Sequence, residues 1–146
     1  MLNVYKYFDE PESLSDFGNY KQRAKEDPEL AYDYAAGIIK GRWPEGEPVI
    51  MEDPMVACNY AIDVIKARWP EAEPIIMKKP AYAWIYAKHI IKGRWPEAEP
   101  YIMKSAAPAY RYAMEVIKGR WPEAEPYILK NRFGVADSYK RKFGIE

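Results

Sequence analysis

The chain has 146 residues, of which 49% are apolar and 15% aromatic, a composition too rich in large side chains for a disordered protein. Lys and Arg together number 22, as do Asp and Glu, and this neutral balance argues against a nucleic-acid binder, which must neutralise phosphates. No apolar run approaches the ~20 residues of a membrane helix, the N-terminus lacks a signal-peptide apolar region, and the single Cys58 cannot form an internal disulfide, so we expect a cytoplasmic protein.

The dominant feature is the phrase Arg-Trp-Pro-Glu-Xaa-Glu-Pro, which occurs four times at a constant spacing of 26 residues. Its tryptophans are Trp43, Trp69, Trp95 and Trp121. A fixed period in this range is typical of stacked supersecondary units. We therefore predict one helical-repeat domain, residues 1–146, in which the segments are an N-terminal segment and cap (1–26), four repeats (27–52, 53–78, 79–104 and 105–130) and a C-terminal cap (131–146).

The N-terminal cap is a degenerate copy of the repeat. A shift of one period places Phe17 at the position of Trp43 and aligns residues 25–28 with 51–54. The stretch from Phe17 to Ala24 is therefore predicted to cover the first repeat. Residues 1–16 precede this stretch and contain Tyr5, Tyr7 and Phe8.

Each repeat is predicted to begin with a helix of about fourteen residues. A proline is tolerated in the first helical turn, and the Asp before Pro28 or Pro54 can cap that turn. Apolar residues then recur with the spacing of one helical face, which in the first copy comprises Ala31, Tyr34, Ala35, Ile38 and Ile39. Glycine can end a helix in the left-handed conformation, which predicts helix ends at Gly41, Gly93 and Gly119. The second copy has Ala67 there, so we expect its helix end to be strained or differently built.

A turn and a short second helix complete each repeat. Pro44 and Pro48 are four residues apart, and the second ring would clash with the carbonyl of the first in a regular α-helix. Residues 44–47 are therefore predicted to form a tight turn, and a short helix is predicted to start near Pro48 and to contain Val49, Ile50 and Met51.

At the C-terminal end, Val135 to Phe143 replaces the first helix, with Ser138 and Lys142 at positions where full copies carry Tyr and Val or Ile. The tail also holds a basic cluster at residues 140–142. Polar terminal units keep a repeat array soluble. The predicted fold is all-α, a short solenoid of four 26-residue helix–turn–helix repeats with degenerate N- and C-terminal caps.

The repeat resembles a known pattern. Its core Gly-Arg-Trp-Pro-Glu-Ala-Glu-Pro, preceded by Ala-Tyr-Xaa-Tyr-Ala-Xaa-Xaa-Val-Ile-Lys, is similar over about residues 27–130 to uncharacterised helical-repeat proteins of tailed bacteriophages. This resemblance implies a phage origin and a location in the host cytoplasm. By analogy, it favours a protein that binds or inhibits a host defence protein.

The aromatic and charged residues that recur in every copy have two interpretations each. The repeated Trp could stack nucleic-acid bases, but we favour packing between repeats, which needs the same residue in every copy. The Lys-Xaa-Arg pairs could bind phosphate, and the candidate residues for a small anionic ligand are Lys66, Arg68, Lys92 and Arg94. Two glutamates follow each pair, so we favour Arg–Glu pairing within the fold.

Enzymatic chemistry is not expected, nor is a cofactor or a metal. His89 is the only histidine, which excludes histidine-based triads and multi-histidine metal sites. It lies at a position where the other copies have Gly, Asp or Glu, which indicates a surface residue. Cys58 replaces the aromatic residue of the other copies and is interpreted as partly buried packing.

The copies differ from one another mainly at four positions of the first helix, which share one helical face opposite the apolar stripe. We call this the variable face; it consists, copy by copy, of Glu29, Asp33, Ala36 and Gly37, then Met55, Asn59, Ile62 and Asp63, then Ala81, Ile85, Lys88 and His89, then Ala107, Arg111, Met114 and Glu115. Neutral drift of a solvated surface is the alternative explanation.

We therefore predict non-enzymatic binding of an unidentified protein, and the candidate partner-binding residues are Met55, Ile62, Ile85, His89, Arg111 and Met114. A small anionic ligand or nucleotide held between repeats is the first alternative, and single-stranded nucleic acid, though unlikely as a partner, is the second.

Overall fold

The computed structural model describes residues 14–146, and the side chains from residue 18 onwards. Residues 1–13, with Tyr5, Tyr7 and Phe8, lie outside the described part, as does the side chain of Phe17. Helices and turns make up the described chain, which confirms the predicted all-α class of helix–turn–helix repeats. No helix in this part is long and apolar enough to cross a membrane. The chain forms two compact units, Met1–Ala72 and Glu73–Glu146.

From residue 14 onwards, where the structure describes it, the first unit contains four α-helices. Helix α1 is Leu14–Ala24, α2 is Pro28–Asp33, α3 is Glu47–Ile50 and α4 is Pro54–Tyr60. Wider π-helical turns extend α2 through Tyr34–Ile39 and α4 through Ala61–Ile65. Helix α1 packs against α2, as the predicted N-terminal cap should, and α2 packs against α3 and α4.

The second unit contains six α-helices. Helix α5 is Glu73–Ile76, α6 is Pro80–Tyr86, α7 is Glu99–Ile102, α8 is Ala106–Tyr112, α9 is Glu125–Ile128 and α10 is Val135–Phe143. The π-helical extensions are Ala87–Ile91 after α6 and Ala113–Ile117 after α8. Helices α6 and α8 pack side by side, and α10 packs against α8 and α9.

The starts of the first helices follow the prediction. Asp27 Oδ1 accepts a hydrogen bond from the backbone N–H of Leu30, and Asp53 Oδ1 accepts from Met55 and Val56. Lys79 and Ser105, which precede α6 and α8, make no such side-chain cap. The sequence therefore caps the two copies of the first unit with a carboxylate and leaves the later two without one.

The ends of the first helices differ from the prediction. The left-handed residue is the lysine before the expected glycine, with φ of 57–58° at Lys40, Lys66, Lys92 and Lys118. The π-helical turn is the cause, because the N–H of Lys66 reaches the C=O of Ala61, five residues back, at 2.7 Å. Ala67 needs no left-handed geometry, so the expected strain at the end of the second copy is wrong. This end is nevertheless built differently, because the N–H groups of Gly41, Gly93 and Gly119 each donate to the C=O six residues back, whereas Ala67 makes no such bond among the described residues.

The predicted apolar stripe is only partly the core. Its Ala and Tyr positions are buried except for half-buried Tyr34, whereas the last two apolar positions are half-buried, and Ile39 is 40% exposed. A π-helical turn rotates successive side chains by a smaller angle than an α-helix, so these residues drift away from the buried face. Ile50, Ile76, Ile102 and Ile128 of the short helices complete the core.

The terminal helix is closer to a full repeat than the sequence alignment indicated. Tyr139, not Ser138, takes the tyrosine position, because its Oη accepts a hydrogen bond from the Trp121 backbone N–H at 2.8 Å. The preceding connection has one additional residue and turns at Gly134, where φ is +86°. Phe143 then falls at the position that we had assigned to Lys142, and its ring packs on Tyr139.

Candidate binding surface

The repeated tryptophans are internal. Trp43, Trp69, Trp95 and Trp121 are at most 3% exposed, which confirms that these rings are buried packing residues and leaves none of them open to a stacked base, whereas packing of the rings between repeats stays a prediction. Each ring contacts the tyrosine of its own repeat, with centroid separations from 4.6 to 5.2 Å. These aromatic pairs fill the interior of each unit.

A set of hydrogen bonds among a Tyr hydroxyl, a Trp backbone N–H, a Glu carboxylate and an Arg guanidinium joins successive repeats, and we call this set the latch. In the first unit, Tyr60 Oη accepts from the backbone N–H of Trp43 at 2.8 Å and donates to Glu47 Oε1 at 3.1 Å. Arg42 completes the latch, because its guanidinium forms a bidentate pair of hydrogen bonds with the Glu47 carboxylate. Burial, together with the nearby Glu47 carboxylate, raises the pKa of Tyr60 to about 12, so its phenol stays protonated as a donor.

The second unit repeats the latch. Arg94 Nε and Nη2 donate to the two oxygens of Glu99 at 2.7 and 2.8 Å, and Arg120 pairs with Glu125 in the same way. Burial raises the pKa of Glu99, but hydrogen bonds from Arg94 and Tyr112 outweigh it, so the pKa lies below the ordinary value. These contacts confirm the predicted Arg–Glu pairing and commit Arg94, an alternative ligand candidate, to the fold.

The other alternative ligand candidates lie along the helix ends. Lys66 and Lys92 are exposed, adopt the left-handed conformation and form no ion pair with a described residue. Arg68 is exposed and has interactions of its own. This edge can attract an anion, but the described part encloses no group of three or more His, Cys, Asp or Glu residues suited to a metal ion.

The variable face is accessible in every copy. None of its side chains is buried in either unit, although the Ala and Tyr positions on the opposite side of the same helices form the core. In the first unit, the candidates Met55 and Ile62 are half-buried. Next to them, Tyr32 Oη donates to Asp63 Oδ2 at 2.7 Å and so links the two first helices.

In the second unit, the variable face is held together by charge. The candidates Ile85 and Met114 are half-buried, whereas His89 and Arg111 are exposed. Glu115 forms an ion pair with Lys88 of the neighbouring helix and a second with Arg111 of its own helix at 3.2 Å. Both cations lower the pKa of Glu115, the Lys88 hydrogen bond most strongly.

Sequence reasoning did not anticipate these links between copies. The available signal was the opposite charge of Lys88 and Glu115, which stand at adjacent variable positions of successive copies. The result is a continuous surface across the two first helices of this unit, with apolar side chains surrounded by charged ones. Such a surface can bind another molecule without any covalent chemistry.

Cys58 lies in the core of the first unit. It is 1% exposed, and burial raises the pKa of its thiol to about 12, which keeps it unreactive at neutral pH. The position is therefore buried rather than the partly buried one that we expected.

No protein-family model, curated protein or solved structure matches this chain.

Proposed function

We propose that the chain is a non-enzymatic helical-repeat module that binds another protein through its variable face. The observation that carries this proposal is that the copies diverge on an accessible helix face while they share the Ala, Tyr and Trp core. Identical positions can only fix the geometry of a repeat protein. Specificity for one target needs positions that differ from copy to copy.

The composition of the variable face supports a protein as the partner. In the second unit, half-buried Ile85 and Met114 provide apolar anchors, and the group of Lys88, Arg111 and Glu115 provides a charged rim. Protein interfaces combine apolar anchors with a polar rim in this way. The resemblance to phage repeat proteins makes a bacterial host protein the first partner to test, in the host cytoplasm.

Site-specific photo-crosslinking tests the proposal directly. A photoreactive amino acid at His89 or Arg111, both exposed on the variable face, should form a covalent adduct with one host protein. The matched control places the same amino acid at Glu97, which is exposed in the shared Trp-Pro turn. Equal adducts from all three positions would contradict a partner surface on the variable face.

A substitution experiment then measures the contribution of the apolar anchors. Ile62→Asp together with Ile85→Asp should abolish binding of the cross-linked protein, whereas circular dichroism should show unchanged helix content, because both side chains lie outside the buried core. The comparison variant, Lys66→Glu with Lys92→Glu, should bind normally. Loss of binding in this second variant alone would move the site to the lysine edge and favour the anionic-ligand alternative.

A further inference from the structure

The neutral charge of the chain is the sum of two opposite halves. Lys and Arg number 8 and Asp and Glu 14 in the first unit, a formal charge of −6. In the second unit they number 14 and 8, a formal charge of +6. The argument against nucleic acid from total charge therefore does not apply to the second unit, whose field attracts polyanions.

The large exposed aromatic side chains of the described residues all lie in this positive unit. Tyr101 on α7 is 37% exposed, Tyr127 on α9 is 41% exposed, and Phe133, just before α10, is 92% exposed. The equivalent of the two tyrosines in the first copy is Val49, which is buried at 6%. Packing of the repeat therefore does not require an exposed ring at this position.

Cations accompany these rings. Lys104 and Lys130 each follow a tyrosine by three residues, and Arg132 precedes Phe133. All three are exposed and form no ion pair with a described residue. Exposed Glu97 and Glu123 lie in the preceding turns and reduce the local charge, but the unit as a whole remains at +6.

We propose that this aromatic–basic surface, formed by Tyr101, Lys104, Tyr127, Lys130, Arg132 and Phe133, binds single-stranded nucleic acid. Bases stack on the three rings, and the cations contact the phosphates. A duplex hides its base faces, and an acidic protein segment has no bases to stack, so the combination of rings and cations favours a single strand. The surface lies on the short helices and the connection to α10, so it is separate from the variable face.

The repeat geometry suits a strand. Helices α6 and α8 pack side by side, and packed helices are usually about 8–10 Å apart, so we take about this value as the spacing of adjacent repeats in the proposed site. Stacked nucleotides advance by about 3.4 Å. Tyr101 and Tyr127 would therefore contact bases about two or three nucleotides apart.

Fluorescence anisotropy with a labelled 20-nucleotide oligothymidylate, titrated between 50 and 200 mM NaCl, tests this proposal on the full chain. We expect measurable binding that weakens with salt. Tyr101→Ile with Tyr127→Ile should weaken binding about tenfold or more at every salt concentration and leave the salt slope unchanged, since it removes stacking and no charge. Isoleucine occurs naturally at the equivalent position, Ile75, so both helices should fold.

The charge contribution needs a matched pair of variants. Lys104→Gln with Lys130→Gln should reduce the slope of log affinity against log salt by about 1.4, the value for two lost phosphate contacts on a single strand. Lys92→Gln with Lys118→Gln removes the same charge from two exposed lysines at the helix ends and should leave the slope unchanged.

Several results would overturn the proposal. Equal affinity for a duplex of the same length, or wild-type affinity of the double Tyr→Ile variant, would mean that no base stacks on these rings. Equal effects of the two lysine pairs would mean non-specific charge attraction only. Absence of binding at 50 mM NaCl would exclude the site, and because it leaves photo-crosslinking at His89 unaffected, it would not bear on the variable face.

Discussion

Tyr112 Oη accepts a hydrogen bond from the backbone N–H of Trp95 at 2.6 Å, and it therefore ties one repeat to the one before it. The same hydroxyl donates to Glu99 Oε1 at 2.8 Å, and the Tyr112 ring packs on Trp121 of its own repeat, 4.9 Å away between centroids. One side chain thus contacts the backbone, the carboxylate and the ring that define two successive Trp-Pro turns. This position requires a tyrosine because its hydroxyl forms the hydrogen bonds and its ring provides the packing.

Removing this hydroxyl should destabilise the protein. Tyr112→Phe leaves the buried Trp95 N–H without an acceptor, and we expect a loss of about 1–3 kcal/mol in the free energy of unfolding, measured with urea. The control is Tyr110→Phe, because Tyr110 is half-buried and its hydroxyl has no hydrogen bond among the described residues; it should change stability by less than about 0.5 kcal/mol. Similar losses in the two variants would contradict the latch.

Replacement of Gly46 by Ala, the residue found in the other copies, should lower the stability of the protein. Ala72, Ala98 and Ala124 occupy the equivalent positions and are fully buried, but a Cβ at Gly46 would lie 2.1 Å from Cε3 of Trp43. The ring is rigid, so Gly46→Ala should force it to move, at a cost of about 1–3 kcal/mol in urea unfolding.

Gly41→Ala provides the matched control for this prediction. No atom lies within 4 Å of a Cβ there, so it should stay within about 0.5 kcal/mol of wild type. A Gly46→Ala variant as stable as Gly41→Ala would show that the Trp43 ring can be displaced without cost.

The left-handed lysines predict a stabilising substitution. Lys92 has φ of 58°, a conformation that costs an L-residue about 1–2 kcal/mol, whereas glycine loses about 0.5–1 kcal/mol in backbone entropy. Lys92→Gly should therefore stabilise the fold by roughly 0.5 kcal/mol in urea unfolding. Lys92→Val, with a branched side chain in the same conformation, should destabilise it, and the opposite order of the two variants would refute the strain argument.

Stability should fall at both extremes of pH. The pKa of Glu99 is lowered in the fold because its hydrogen bonds outweigh burial, so its stabilisation is complete above the unfolded value of about 4.3 and is lost as pH falls through the lower folded value. Burial raises the pKa of Tyr60 to about 12, so its stabilisation is complete below the unfolded value of about 10 and is lost as pH rises from there to about 12.

Urea midpoints across the pH range should therefore show a plateau from about pH 5 to 9. Glu99→Gln should make the acid side less steep and leave the alkaline side unchanged, because Glu115 and Glu125 also have lowered pKa values and keep part of the acid dependence. Tyr60→Phe should likewise reduce the slope of the alkaline side only, to which Tyr112 and Tyr139, with raised pKa values, also contribute. A variant that keeps the wild-type dependence would show that the group does not titrate differently on folding.

The sequence by itself determined the repeat and its elements. The exact spacing of Trp43 and its equivalents, the Asp-Pro helix starts and the Pro44–Pro48 pair are local signals, because capping and proline geometry depend on residues close in the chain. The pairing of Arg94 with Glu99 was also predictable, since the two lie five residues apart across one turn. The accessibility of the variable face followed from helical periodicity.

Only the tertiary structure decided how neighbouring copies meet. The bond from the Trp95 N–H to Tyr112 spans 17 residues, and the ion pair of Lys88 with Glu115 spans 27, so neither depends on local propensity. The equivalent bond from the Trp121 N–H to the Tyr139 hydroxyl explains the one-residue shift of the last helix, because a buried N–H must find an acceptor. The structure also decided that the left-handed residue is Lys92 and not Gly93, because the π-helical turn that ends each first helix determines where the backbone reverses.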